Sequence, residues 1–147
     1  MVRRMGMNTA PPDKSPQDDI AQLQHMAREF AAGFNTGDVD RIMRFYGPTY
    51  VDVNLRNPVQ SWAERRAYYS HVIASRGFQA DVRPDDIQIH GDWAFVRGTI
   101  YLTRGGSGGS QHTELRYLEI VRRQPDGSWK VMWGMDGPVQ DYTPAPW

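Results

Sequence analysis

Residues 93–136, WAFVRGTIYLTRGGSGGSQHTELRYLEIVRRQPDGSWKVMWGMD, decide the architecture. Three long runs rich in Val, Ile, Tyr and Trp (93–103, 112–123 and 129–136) are separated only by the glycine-serine stretch 105–109 and by Pro125-Asp126-Gly127. Such runs read as strands, and connections this short force antiparallel hairpins. Upstream, Phe78, Ala80 and Val82 alternate, Ile87 and Ile89 follow, and His90-Gly91-Asp92 turns into Trp93. Further upstream the period becomes helical. Ser15-Pro16-Gln17-Asp18 is a capping box with proline at the first helical position. Ile20, Leu23, Ala27, Phe30, Ala31 and Phe34 then recur at helical spacing until Gly37. Asp38 opens a shorter helix with Val39, Ile42, Met43 and Tyr46, ended by Gly47-Pro48. Residues 50–54 read as a short strand ended by Asn57-Pro58. Ser61-Trp62-Ala63-Glu64 caps a third helix whose Trp62, Tyr69, Val72 and Ile73 form one stripe, with Gly77 as its stop. The order predicts an α+β domain over 15–138, with three N-terminal helices packed on a curved antiparallel sheet. Residues 1–14 and 139–147 read as irregular tails.

Composition narrows the class. The chain has 147 residues, 39% apolar, 12% aromatic and 23% charged, with 17 basic residues against 17 acidic ones. Zero net charge argues against a nucleic-acid binder, and the pairs Arg65-Arg66 and Arg122-Arg123 read as solvated faces. The absence of cysteine excludes disulfides, thiolate metal sites and cysteine nucleophiles. No apolar run approaches the roughly 20 residues of a membrane helix. The basic start Met-Val-Arg-Arg-Met-Gly-Met lacks the apolar core of a signal peptide, and Met5 or Met7 is a candidate start. The expectation is a soluble cytoplasmic domain with no membrane or nucleic-acid partner.

Strand pairing predicts the faces. A hairpin centred on Ser107 puts Gly98 opposite Arg116, leaving room for the arginine to lie across the sheet. A turn pairing Arg123 with Trp129 puts Arg116 opposite Asp136. One face then carries Ala94, Val96, Gly98, Ile100, Glu114, Arg116, Leu118 and Asp136. The other carries Phe95, Tyr101, Tyr117, Val121, Trp129, Val131, Trp133 and Met135. Both are too apolar for water, so the helices cover one and a second copy of the chain covers the other, predicting a homodimer. A slip of one residue would exchange the faces.

The stretches FNTGDVDRIMRFYGPTYVDV, SWAERRAYY, GDWAFVRGTIYLT and RYLEIVRRQPDGSWKV together resemble the nuclear-transport-factor-2-like superfamily, in its SnoaL-like and ketosteroid-isomerase-like branches. The likeness runs from Ser15 to Pro138. Its most specific pieces are Asn35-Thr36-Gly37-Asp38 and Asp126-Gly127-Ser128-Trp129-Lys130, neither of which is catalytic. The resemblance implies a cone-shaped, cystatin-like half-barrel, commonly dimeric, with an apolar pocket between sheet and helices. Its members include isomerases, dehydratases, cyclases, hydrolases and non-catalytic modules, so the fold alone does not assign a function.

Ketosteroid-isomerase-like relatives aim a carboxylate from the end of the first strand into the pocket, where apolar surroundings raise its pKa. The matching position here is Asn54, not an acid. Asp52, two residues earlier on the same face, is the candidate base; its other reading is a structural partner of an arginine. Asn54 and Tyr46 are candidate donors to a developing enolate, and Arg116 a candidate for orienting the polar end of a substrate. Glu114, Arg116 and Asp136 form either an anchor for that end or a cross-strand ion pair. Tyr46, Trp62, His71, Tyr101 and Asp136 are candidate substrate contacts, whereas Trp133 and Met135 read as dimer seam. The spacing of His25, His71, His90 and His112 fits no metal motif, and the glycine run lacks the Lys-Ser/Thr of a phosphate loop. The expected activity is cofactor-independent acid-base conversion (isomerase, dehydratase or cyclase type) of a small apolar, ring-containing molecule. The other reading is a non-catalytic homodimeric ligand-binding or assembly module.

Overall fold

A computed structural model describes residues 15–54, 60–105 and 108–139, without the side chain of Arg76. The expected tail 1–14, most of the tail 139–147, Asn57-Pro58 and the centre of the glycine-serine loop lie outside the described residues. The chain order is α1 (Pro16–Thr36), α2 (Val39–Met43), β1 (Tyr46–Asp52), β2 (Gln60–Ser61), α3 (Trp62–Arg76), β3 (Gln79–His90), β4 (Trp93–Arg104), β5 (Gln111–Arg123) and β6 (Trp129–Pro138). The strands form one curved, unclosed sheet in the order β2-β1-β6-β5-β4-β3, with β1 parallel to β6 and the other pairs antiparallel. This is the α+β cone expected from the sequence.

Both capping boxes form: Ser15 accepts from the Asp18 amide and Ser61 from the Glu64 amide. Gly37 ends α1 with φ +76°, a left-handed conformation that favours glycine. Just before it, the Asn35 side chain donates to the Ala80 carbonyl at 2.9 Å and accepts the Ala80 amide at 2.6 Å. It thus acts as a one-residue strand edge fixing α1 to β3, a physical reason for asparagine in the Asn-Thr-Gly-Asp junction. Helix α2 is shorter than its apolar spacing suggests. It stops at Met43, and Tyr46 belongs to β1, with its ring in the core.

The sheet register corrects the expected faces. Arg104 pairs with Gln111, so the hairpin loop has an even number of residues and Gly98 lies opposite Tyr117 instead of Arg116. On β6, Met132 is an extra residue between the pairs Ile120–Trp133 and Val121–Val131, and this bulge places Asp136 opposite Tyr117. The helix-covered face is therefore built from Ala94, Val96, Gly98 and Ile100 with Tyr117, Glu119, Val121, Val131 and Asp136. Gly98 does make room for a crossing side chain, but that side chain is Tyr117, whose hydroxyl a Cβ at Gly98 would strike. Arg116, Leu118 and Ile120 move to the outer face.

Trp129, placed by the expected pairing on one face with Trp133, is buried, whereas Trp133 is exposed. The Trp129 indole N–H donates to Asp19 at 3.2 Å, and Arg123 holds the same carboxylate through two bonds of 2.6 and 2.7 Å. This clamp ties the first turn of α1 to the β5–β6 hairpin. Arg123 is thus a structural ion-pair partner and not a freely solvated charge.

Candidate functional site

The helices and the covered sheet face form a pocket, open on one side, whose lining includes several aromatic rings. Leu23, Met26 and Phe30 of α1 form one wall, Tyr46, Tyr50 and Asp52 of β1 another. Arg65 and Tyr69 enter from α3, Tyr117 and Glu119 from β5, and Gly134 and Asp136 from β6. Gly134 is needed because a Cβ there would lie 2.8 Å from the Tyr50 hydroxyl.

The polar groups gather around Arg65. Alternation along α3 puts this residue three positions after Trp62 and four before Tyr69, on the buried stripe, and only 3% of it is exposed. The expectation of a solvated Arg65 is therefore corrected, while Arg66 pairs with Asp40 at the surface. The Arg65 guanidinium lies over the rings of Tyr68 and Tyr69 at 4.7 and 4.6 Å. Its Nη2 donates to Asp136 at 3.1 Å, its Nη1 to Gln60 at 3.3 Å, and its Nε lies 3.4 Å from Asp52. Asp52, 1% exposed, also accepts from the Tyr50 hydroxyl at 3.1 Å and the Asn54 amide at 3.0 Å. Asn54 in turn donates from Nδ2 to Asp136 at 3.0 Å. Burial raises the pKa of Asp136, with Arg65 working against it.

Glu119 stands apart from this network. Its carboxylate makes no hydrogen bond among the described residues. Burial, followed by the charge of Asp136, pushes its pKa to about 7, with Arg65 pulling the other way. The surrounding phenols remain neutral donors: burial pushes Tyr46, Tyr50 and Tyr117 well up and Tyr69 to about 12. The Tyr46 and Tyr69 hydroxyls share a hydrogen bond of 3.3 Å. The site thus combines an acid-base group poised near neutrality, several fixed donors and apolar walls.

Of the candidate residues, Asp52, Asn54 and Asp136 lie in one hydrogen-bonded cluster, and Tyr46 lines the same cavity as the two aspartates. Asp52 lines the cavity and lies beside Arg65, which is the arginine contact of its structural reading. Arg116 does not join them; it is exposed on the outer face, a consequence of the register. Tyr101 is also on that face, 38% exposed, with Arg83 over its ring. His71 is exposed on α3, and Trp62 borders a separate, more open groove with Met43, Pro48 and Lys130. The expected cluster of Glu114, Arg116 and Asp136 is therefore replaced by Asp52, Arg65 and Asp136. Sequence reasoning missed Glu119 and Arg65. The available signals were a single acid within the alternating run Leu115, Tyr117, Glu119, Val121, and an arginine in phase with a buried helical stripe.

Residues 27–132 match the model of the SnoaL-like domain, and the chain belongs to that family. No match emerges among the curated proteins. Among solved structures, the chain is similar to a protein of the NTF2-like family from Streptomyces avermitilis, provisionally assigned as a dehydratase. That likeness has 21% identity, a TM-score of 0.74, and covers 86% of this chain and 100% of the other. A ketosteroid isomerase-like protein from Erwinia carotovora atroseptica has 21% identity and a TM-score of 0.70, over 84% of this chain and 98% of its own. An NTF2-like protein with a cystatin-like fold from Novosphingobium aromaticivorans has 15% identity and a TM-score of 0.74, over 86% and 85%. At these identities the likenesses establish the fold. Among the described residues, no helix is long and apolar enough to cross a membrane.

Proposed function

We propose that the chain is a cofactor-independent acid-base enzyme, of isomerase, dehydratase or cyclase type, acting on a small apolar ring-containing substrate. The observation that carries this reading is Glu119, a carboxylate with no hydrogen bond among the described residues on the wall of an aromatic cavity, whose burial pushes its pKa up to about 7. A group titrating near the working pH both takes and returns a proton efficiently. Glu119 replaces Asp52 as the proton carrier because Asp52 already accepts from Tyr50 and Asn54 and faces Arg65. Glu119 removes a proton from carbon next to a carbonyl, the Tyr46–Tyr69 hydroxyl pair donates to the developing oxyanion, and Glu119 returns the proton at a second atom. Arg65 holds Asp52 and Asp136 in place as a positioning residue. Deuterium exchange at the ring carbons flanking the carbonyl of 2-tetralone tests this. The protein-catalysed rate is expected to rise with pH and level off above about pH 7, following Glu119. No acceleration, or a rate indifferent to pH across that range, would refute the proposal.

One observation favours the second reading, a binding or assembly module: Asp52 is fully engaged by its neighbours. Both readings accommodate a homodimer, which we propose docks through the outer sheet face. Phe95, Leu118 and Trp133 are 42, 40 and 40% exposed there, on three adjacent strands, and Trp93 stacks on Trp133 with ring centroids 6.0 Å apart. Arg97, Arg116 and Arg122 accompany Asp86 and Glu114 around this patch, so a two-fold arrangement offers each sign an opposite partner. Trp133→Glu is expected to convert a dimer to a monomer in native mass spectrometry; a wild-type monomer would contradict the docking.

A further inference from the structure

The charges around the cavity do not balance. Among the described residues, its wall holds three carboxylates, Asp52, Glu119 and Asp136, and a single cation, Arg65. Arg65 is already committed, with Asp52, Asp136 and Gln60 at its edge and the rings of Tyr68 and Tyr69 over its plane. Arg65 is the one cation of this wall among the described residues, and an anionic ligand would enter as a further buried negative charge beside three carboxylates. Glu119, in contrast, has no hydrogen-bond partner among the described residues. The same cavity is lined by aromatic residues, of which Tyr46, Tyr50 and Tyr117 lie within electrostatic reach of Glu119. Aromatic faces beside an unpaired carboxylate are the chemistry that holds an alkylammonium group, through cation–π attraction and a charge-assisted hydrogen bond.

We infer that the ligand of this cavity carries a protonated amine on an apolar ring body, with the ammonium placed against Glu119 and the surrounding rings. The inference rests on the acid-base reading of the site and deepens it. Binding is linked to pH through Glu119. The groups that act on it are Asp136 from β6, Arg65 from α3, Tyr46 and Tyr50 from β1, and Tyr117 from its own strand, while Asp52 of β1 and Tyr69 of α3 line the same cavity. The two aspartates lie against Arg65 and the phenols stay neutral, leaving Glu119 to set the dependence near neutrality.

Three probes of similar shape separate the possibilities by calorimetry: N,N-dimethylbenzylamine as the cation, isobutylbenzene as its uncharged counterpart, and phenylacetate as the anion. At pH 8 the amine is expected to bind about tenfold or more tightly than the hydrocarbon, and phenylacetate not to bind. The preference should shrink as pH falls through 7 and disappear in Glu119→Gln. The wild-type pH series decides the matter even if that variant fails to fold. Equal affinity for amine and hydrocarbon, binding of phenylacetate, or no binding of any probe would overturn the inference. Because these are binding measurements, they stand apart from the tetralone exchange assay. Amine preference without exchange would refute the proton-transfer reading alone, and exchange without amine preference would refute the ligand class alone.

Discussion

Glu119→Gln is expected to lower the rate of 2-tetralone exchange by about 10²–10⁴-fold, the range associated with losing a positioned general base. The same substitution should make the protein more stable above pH 7. The sign follows from proton counting. The folded pKa of Glu119 is about 7, above its ordinary 4.5, so between these values the folded state binds more protons than the unfolded one. Stability from this residue therefore falls as pH rises from about 4.5 to 7, and the penalty is complete above that range. Glutamine has the same shape without the charge. Urea denaturation at pH 8 should show the variant more stable by about 2–3 kcal/mol, with the difference largely gone at pH 4. An active-site group kept at a cost to the fold is a recognised trade. Equal stability of the two proteins at pH 8 would mean that Glu119 is not held in an unfavourable environment.

Arg65→Met is expected to have the largest effect on stability. The side chain is 4% exposed and has Asp52 and Asp136 within 3.4 and 3.1 Å. Removing the guanidinium leaves two carboxylates in the cavity wall without their cation, and breaking a buried pair in this way costs about 3–5 kcal/mol. Burial and Asp136 hold the Glu119 pKa up, while Arg65 opposes them. Loss of Arg65 should therefore raise that pKa further and move the exchange profile to higher pH. Arg65→Lys keeps the charge and should restore the pH midpoint while recovering only part of the stability, since it lacks the planar fork and the ring contacts. A lysine variant as shifted as the methionine variant would show that charge is not what Arg65 contributes. A methionine variant as stable as the wild type would remove the account of the network altogether.

How much of this was legible beforehand depends on whether information is local. Capping boxes, the Gly37 and Gly77 stops and the long alternating runs are written within a few residues, and they specify the three helices and the main strands. The sheet faces depend on parity across two connections. The even-membered loop between β4 and β5 and the Met132 bulge on β6 each shift the pairing by one, which carries Arg116 outward and Glu119 inward. Asp52, Asn54 and Asp136 are close because β1 ends at Asp52 with Asn54 two residues beyond it, and β6 supplies Asp136 on the strand beside it. Arg65 was concealed by its type: adjacency to Arg66 suggests a solvated pair, although its helical phase with Trp62 and Tyr69 points inward. Its burial is made favourable by carboxylates from distant parts of the chain, and no local pattern contains them.

The most direct measurement is a carbon-13 titration of the Glu119 side-chain carboxyl, assigned by comparison with Glu119→Gln. The account predicts a midpoint near pH 7, well above the ordinary glutamate value. A midpoint between 4 and 5 would place the carboxylate in a water-like environment, and the proposed role of Glu119 as a proton carrier at neutral pH would be wrong.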